Sequence, residues 1–321
     1  MKDFRFNKIY VIESLSEDNG DDLTGLKLHE NLLQWVPAYQ SGLSEEYVSI
    51  NDSSEWNALM DRIKEESANG VIPILHFEAH GTAPTDEHPE YVRGISLQNA
   101  EIINAEDLCN TLREINRNTG CNLFVSLAVC SGLQWMIEMG VDKAMPFVGI
   151  LGAWESIKEY GIYDKFSAFY ENLFSSFDIL TAFKAFGEAR PEIDARKYAC
   201  IMADDIFCNA CYKTFSYKKF GDDALREKAK AYVSSHCPNI TREAERQFKI
   251  NDFVKKKKAN MRRKFKNLME GYFILQDFTE NKERFEVPST LDELKERYEK
   301  SVFAKFVSLK EQNKYKQITK Y

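Results

Sequence analysis

VIPILHFEAHG (residues 71–81) and NLFVSLAVCSG (residues 122–132) are the two apolar stretches that decide the fold of this chain. Continuous runs rich in β-branched residues are typical of strands buried on both faces, as in a parallel sheet covered by helices. The first run breaks just after His80 and the second breaks at Cys130. In open sheets of this kind, ligands bind beyond the carboxyl ends of the strands. We therefore expect this histidine and this cysteine to lie at the reactive edge of a sheet.

A thiol beside an imidazole is the minimal pair for covalent acyl transfer, because the imidazole accepts the thiol proton and the thiolate attacks a carbonyl. Each residue alone is a weak signal, since a lone histidine is usually structural and a free cysteine is often a small core residue. Gly81 strengthens the pattern, because a glycine at a strand end lets a substrate approach and leaves an N–H for an oxyanion. Together these residues predict a His80–Cys130 dyad.

Composition bounds the class of protein. The chain has 321 residues, 44% of them hydrophobic, which is enough for a large core, and its net charge of −7 argues against a general nucleic-acid binder. Its seven cysteines are odd in number and scattered, so reduced thiols are expected. The beginning of the sequence has no apolar signal core, and no run approaches the length of a membrane span. We expect a cytoplasmic protein that binds neither nucleic acid nor membrane.

Strands and helices alternate regularly over the first two-thirds of the sequence, which is typical of a doubly wound α/β fold. The fold class predicted is a three-layer α/β/α sandwich with a mostly parallel sheet, over residues 1–205. Residues 206–321 are rich in charge and helical in pattern, and they form either an extension packed on the sheet domain or a partner-binding appendage. The predicted strands are residues 8–15, 46–50, 71–80, 123–130, 146–154 and 197–203, with a hairpin from residue 94. The predicted helices of the sheet domain are residues 21–33, 51–66, 105–118, 133–139, 163–175 and 179–189.

The two stretches resemble a known family. HFEAHG (76–81) and LAVCSG (127–132) are similar to the His-Gly and Cys blocks of the caspase-like cysteine peptidases, and most of all to the CHAT branch. Three further stretches resemble that family's first strand, the hairpin after the histidine and the strand after the cysteine: VIESLSEDNGDDLTGLKLHENL (11–32), GISLQNAEIINAEDL (94–108) and PFVGILGAWES (146–156).

The resemblance implies a caspase-like fold and a cysteine endopeptidase without metal or cofactor. Cys130 would be the nucleophile, His80 the general base and acid, and the N–H groups of Gly81 and Cys130 the oxyanion hole. It also implies a protein or peptide substrate, an activating or regulatory protein partner, and a link to bacterial defence against phage. Only about fifteen residues separate Cys130 from the next predicted strand, so we expect an uncut chain. The alternative is a non-catalytic caspase-like scaffold.

Substrate preference depends on acidic residues near the predicted edge. Trp154 and Glu155 sit where relatives keep the pocket for the side chain before the scissile bond, and a carboxylate there would favour arginine or lysine. Asp164 is the competing candidate for this role. Glu78 leans toward the same face as His80. It either orients the imidazole, meets a substrate amine, or is a surface carboxylate at the strand end.

Two other patterns carry weaker signals. Cys208 and Cys211 form one CxxC in a helical stretch, which fits buried thiols better than zinc ligands because no second spaced pair accompanies it. The basic run at residues 255–264 could touch RNA or anionic lipid. Acidic residues flank it widely, so a solvated helical face is the plainer interpretation, with partner binding next.

Overall fold

The computed structural model describes residues 4–84, 91–134, 141–157, 160–193, 197–215, 221–285, 288 and 290–301. The chain divides into two compact units. The first comprises Met1–Met139 and Met145–Ala203, and the second comprises Gly140–Ala144 and Asp204–Tyr321. No helix in the described ranges is long and apolar enough to cross a membrane.

The first unit is built on a mostly parallel sheet. Its main strands follow the order β2-β1-β3-β6-β7-β8, in which the neighbours from β2 to β7 run parallel and only β8 is antiparallel. A small hairpin, β4-β5, pairs with the end of β3. The strands are β1 Lys8–Ser14, β2 Ser44–Ser49, β3 Pro73–Thr82, β4 Gly94–Ser96, β5 Ile102–Asn104, β6 Phe124–Ala128, β7 Gly149–Ala153 and β8 Tyr198–Met202.

Helices cover both faces of this sheet. The helices of the first unit are α1 Thr24–Asn31, α2 Val36–Tyr39, α3 Ser53–Ala68, α4 Ala105–Asn118, α5 Ile162–Ser176 and α6 Ile179–Glu188. On one face, Phe124 of β6 stacks on Phe169 of α5 with ring centroids 5.9 Å apart. On the other face, Phe77 of β3 stacks on Trp56 of α3 at 5.5 Å. The predicted three-layer α/β/α sandwich is confirmed.

Strand alternation explains how β3 serves both layers. Because successive side chains point to opposite faces, His76 contacts Phe166 of α5 while its neighbour Phe77 contacts α3. Both side chains are almost fully buried, which is why the run reads as continuously apolar. We call the side of the sheet that packs on α1, α5 and α6 the α5 face.

Most of the predicted elements are confirmed with small shifts at their ends. The helix predicted at residues 105–118 has those bounds, and Asn104 caps it by accepting a hydrogen bond from the Asp107 N–H at 2.9 Å. The helix predicted from residue 21 begins later, at Thr24, because a short 3-10 turn and a loop precede it. The helix predicted at residues 133–139 lies, from residue 135 on, outside the described residues.

The second unit is helical. Its elements are α7 Ala203–Phe215, which begins at the boundary, α8 Asp222–His236, α9 Glu243–Tyr272, α10 Asn281–Arg284 and α11 Leu291–Lys300. α8 and α9 pack as a pair around a small apolar core of Leu225, Ala229, Val233, Ile250 and Val254. The Thr290 hydroxyl caps α11 by accepting a hydrogen bond from the Glu293 N–H.

Candidate active site

The register of the sheet places His80 and Cys130 on neighbouring segments of the chain at one edge of the sheet. β3 and β6 pair in parallel with Ile74 opposite Phe124 and Glu78 opposite Ala128, a constant offset of 50 positions. His80 and Cys130 have the same offset, two positions beyond the last pair. Within β3, side chains alternate with a period of two, so His80 falls in the same row as His76, which packs on the α5 face. Cys130 lies in the turn that follows β6, at the carboxyl edge.

The backbones of the two segments touch at this edge. Gly81 is packed so tightly that an added Cβ would lie 1.8 Å from the backbone oxygen of Cys130 and 2.8 Å from the Val129 side chain. Real Cβ atoms do not come that close to a carbonyl oxygen, so position 81 requires glycine. The sequence predicted that Gly81 would let a substrate approach closely. In the structure, the group that approaches Gly81 closely is the Cys130 backbone.

A strained turn follows the cysteine. Ser131 has a φ of +56°, in the left-handed region that L-residues other than Asn and Asp seldom adopt. Its N–H donates to the Glu155 carbonyl at 3.0 Å, and the Gln134 side chain donates to the Trp154 carbonyl at 2.8 Å. These two bonds tie the turn to the end of β7 and hold the Cys130 backbone in place.

The Cys130 thiol is half-buried and lies against the loop after β7. Its Sγ accepts a hydrogen bond from the Ile157 N–H at 3.4 Å and can donate to the Ile157 carbonyl at 3.7 Å. Tyr198 of β8 is close by: burial raises the pKa of its phenol to about 12, with smaller contributions from the charges of Cys130 and Glu78.

The His80 imidazole is held by a residue that sequence reasoning did not single out. Its Nε2 lies 3.0 Å from Oδ1 of Asp21, whose side chain is only 9% exposed against 58% for His80. The other carboxylate oxygen of Asp21 accepts the Ser16 N–H at 3.1 Å. Within the described ranges, no hydrogen bond joins the imidazole to the Cys130 sulfur. The signal that could have found Asp21 is its place just after the first strand, at the same sheet edge.

Glu78 does not have the surface position that was one of its predicted roles. Its residue is 1% exposed, and its carboxylate contacts His76 Nε2 at 2.8 Å and accepts the Thr24 hydroxyl at 2.8 Å. The imidazole that it contacts is thus the buried one two positions back, while Asp21 contacts His80. Glu78 is buried because α1 covers this row of side chains, with Thr24 and Gly25 packed against it.

A second buried carboxyl lies beside Glu78. Glu13 of β1 is its register neighbour, and it accepts the Gly25 and Leu26 N–H groups at the start of α1 and the Tyr47 hydroxyl. Burial raises the pKa of Glu13 to about 7, partly offset by the Tyr47 hydroxyl, and the nearby Glu78 charge raises it further. Both carboxyl groups are buried under the start of α1, below His80 and Cys130.

The three residues predicted to form the substrate pocket differ in whether their side chains could contact a substrate. Trp154 is 1% exposed and belongs to the core. Asp164 is bound to the Arg190 guanidinium, with Oδ2 at 2.5 Å from Nε. Glu155 is exposed, its carbonyl holds the turn after Cys130, and no described residue pairs with its carboxylate. Of the three, Glu155 has the side chain that is free to meet a substrate.

The described residues contain no cluster of three or more His, Cys, Asp or Glu side chains arranged to hold a metal ion. All seven cysteines are free thiols. Cys208 and Cys211 are buried in α7, and burial raises the pKa of each thiol to about 12. Thiols of this kind are inert packing groups.

No family model matches the chain, and no curated protein matches it in sequence. Among solved structures, the chain is similar to a secreted C11 cysteine protease from Bacteroides thetaiotaomicron, solved in complex with an irreversible peptide inhibitor. The two chains share 10% sequence identity with a TM-score of 0.40, over 65% of this chain and 70% of that chain. A similarity of this size does not assign the chain to a family.

Proposed function

We propose that the chain is a cysteine endopeptidase in which Cys130 is the nucleophile and His80 is the general base and acid. The observation that carries this proposal is the shared register of the two residues. His80 lies near the end of β3 and Cys130 follows β6, the parallel strand beside it, and the Gly81 backbone packs against that of Cys130. A strand-end thiol beside a strand-end imidazole is suited to acyl transfer from an amide.

Asp21 supports a defined role for each nitrogen of the imidazole. When the carboxylate accepts a hydrogen bond from Nε2–H of His80, the neutral ring carries no proton on Nδ1, which is then the basic nitrogen. In the first step, Nδ1 takes the Cys130 thiol proton and the thiolate attacks the scissile carbonyl carbon. The negative oxygen that forms is stabilised by the N–H groups of Gly81 and Cys130.

The tetrahedral intermediate then collapses. The C–N bond breaks as His80 donates the proton that it took from the thiol to the leaving amine. The acyl group stays on Cys130 as a thioester. In the second half, His80 takes a proton from water and the hydroxide attacks the thioester carbonyl. Collapse of that intermediate releases the carboxylic acid and restores the Cys130 thiol.

We further propose a preference for substrates with arginine or lysine before the scissile bond, with Glu155 as the recognising carboxylate. The exposure of Glu155 and its attachment to the Cys130 turn support this role, whereas the Asp164 carboxylate is already occupied by Arg190. The activating partner and the role in phage defence that the family resemblance implies are retained as predictions. They rest on the sequence resemblance alone.

One observation favours the alternative, a non-catalytic scaffold. The thiol bonds to the Ile157 backbone and the imidazole bonds to Asp21, so neither residue is hydrogen-bonded to the other. In free enzymes such pairs often tighten only when substrate binds. The two functions therefore predict different behaviour toward a substrate-like electrophile.

Labelling with a peptide acyloxymethyl ketone that bears arginine before the reactive carbonyl distinguishes the two. We expect stoichiometric alkylation of Cys130, read by mass spectrometry of the intact chain and its peptides, and at least a hundredfold slower labelling of His80→Ala. Cys237 is a second half-buried thiol in the same chain and serves as the internal control. Labelling of Cys130 no faster than that of Cys237, and unaffected by His80→Ala, would establish the scaffold instead.

A further inference from the structure

The net charge of −7 hides two opposite contributions. Residues 1–203 contain 16 lysines and arginines and 32 aspartates and glutamates, a formal charge of −16. Residues 204–321 contain 27 lysines and arginines against 18 acidic residues, a formal charge of +9. A charge asymmetry of this size between two parts of one chain indicates a polyanion partner for the basic part. The net charge of the whole chain conceals this asymmetry. The expectation that the chain does not bind nucleic acid was based on that net charge.

The positive charge is concentrated on one element. α9 (Glu243–Tyr272) carries ten basic residues and four acidic ones. Its apolar side, including Ile250 and Val254, is buried against α8. With 3.6 residues per turn, Lys255, Arg262 and Lys266 fall on one line along the opposite side. We call this outward side of α9, with Lys249 and Arg263 at its margin, the basic face.

The cations of the basic face are largely uncompensated. Lys256, Lys258 and Lys266 pair with carboxylates. Four others are exposed and have no carboxylate partner among the described residues, namely Lys249, Lys255, Arg262 and Arg263. Arg263 donates a hydrogen bond from Nη2 to Asn260 Oδ1 at 3.2 Å, but no described carboxylate offsets the charge of any of the four. Such an arrangement is typical of a surface that binds an anionic polymer.

An exposed aromatic ring extends the same face. Phe248 is 68% exposed, and it lies seven residues before Lys255, which is two helical turns along the same line. A phenylalanine ring that is this exposed leaves most of its apolar surface in water. Beside a row of cations, it offers a flat surface on which an unpaired base can stack.

We infer that the basic face of α9, from Phe248 to Lys266, binds single-stranded nucleic acid, with its cations on the phosphates and Phe248 stacked on a base. The segment spans about 27 Å at 1.5 Å per residue. A membrane surface fits less well, because the apolar side of α9 is buried and the exposed side has one aromatic residue rather than an apolar stripe. An acidic protein would use the cations but would leave Phe248 without a role.

Fluorescence anisotropy with a labelled 20-nucleotide oligouridylate and the full chain tests the proposal. We expect binding at 50 mM salt that weakens steeply at 200 mM. The variant Lys249→Gln/Lys255→Gln/Arg262→Gln/Arg263→Gln should lose at least about tenfold in affinity and reduce the slope of log K against log salt by about 3, because each phosphate contact on a single strand contributes about 0.7. Phe248→Ala should weaken binding by about tenfold and leave the slope unchanged.

A matched control removes four lysines that pair with glutamates in their own helices, namely Lys184→Gln/Lys230→Gln/Lys295→Gln/Lys300→Gln. It has the same net charge as the α9 variant and should bind like wild type. Far-UV circular dichroism and Cys130 labelling confirm that both variants are folded.

Four results would overturn the inference. The first two are that the oligonucleotide does not bind at 50 mM salt, and that the α9 variant and the control lose the same affinity. The third is that a duplex of equal length binds as tightly and Phe248→Ala has no effect. The fourth is that polyglutamate at the same charge concentration displaces the oligonucleotide. Binding to phosphatidylserine vesicles without binding to the oligonucleotide would point to a membrane surface and would equally contradict it.

Discussion

The backbone of Gly81 lies directly against the carbonyl group of Cys130, with room for a hydrogen but not for a Cβ atom. This contact lies where the last residues of β3 meet the turn that follows β6. Four predictions concern this edge of the sheet and the row of side chains beneath it.

Gly81→Ala should damage both the fold and the site, because a Cβ 1.8 Å from the Cys130 oxygen forces the two strand ends apart. We expect a loss of roughly 2–3 kcal/mol in the free energy of unfolding, measured by urea denaturation, together with loss of Cys130 labelling. Gly187→Ala is the control, since a Cβ there meets nothing within 4 Å. It should be neutral or slightly stabilising in its helix. Equal stability of the two variants would contradict the contact.

Asp21→Asn should lower kcat for a peptide substrate by about 10- to 100-fold and change KM little, because the residue orients His80 rather than touching substrate. The free energy of unfolding should change by less than about 1 kcal/mol, since the imidazole is largely exposed. Asp22→Asn is the matched control, because the neighbouring Asp22 pairs with Lys27 and not with His80. A matching fall in kcat for both variants would show that Asp21 acts through the loop and not through the imidazole.

Glu13 should make folding less stable as the pH rises. Its pKa, near 4.5 in an unfolded chain, is raised to about 7 by burial, so the folded state holds the proton more tightly. The stabilisation is complete below pH 4.5 and is lost as the pH rises through 7. Between pH 5 and 8 this one group should cost roughly 2 kcal/mol, measured by urea unfolding. Glu13→Gln should flatten that decline by the same amount, whereas the exposed Glu17→Gln should follow wild type. A decline of wild-type size in Glu13→Gln would refute the assignment.

Glu155→Gln should lower kcat/KM about tenfold or more for substrates with arginine before the scissile bond, and should leave substrates with leucine there unchanged. Asp164→Asn should have little effect on either substrate, because its carboxylate is engaged by Arg190. A fluorogenic peptide panel measures both ratios. If Asp164→Asn produced the larger loss on arginine substrates, the proposed recognition residue would be the wrong one of the two.

Local pattern was sufficient for most of the first unit. The apolar runs predicted the buried strands, and the predicted bounds of α4 are those observed. The break of each run also predicted that His80 and Cys130 lie at strand ends. Cys130 does follow β6, whereas β3 continues past His80 to Thr82, where it pairs with β4. These features depend on residues within a few positions of one another, which is why a single sequence carries them.

Contacts between residues on different strands could not be predicted from local sequence pattern. The contact between His80 and Asp21 joins residues 59 positions apart, and it depends on β1 lying next to β3. The burial of Glu78 depends on α1 crossing the same row, where Thr24 and Gly25 cover it. The antiparallel direction of β8 likewise follows from how the chain returns to the sheet, and strand composition does not encode it.

The sequence by itself thus determined the layered α/β architecture, the two apolar runs that carry an imidazole and a thiol, and the basic character of the α9 segment. It could do so because hydrophobic period and charge are local properties. Only the tertiary structure decided the 50-position register between β3 and β6 and the choice of Asp21 over Glu78 as the partner of His80. It also decided which side of α9 carries both the exposed ring and the cations without carboxylate partners. Those outcomes depend on which distant segments pack together, and packing is a property of the whole folded chain.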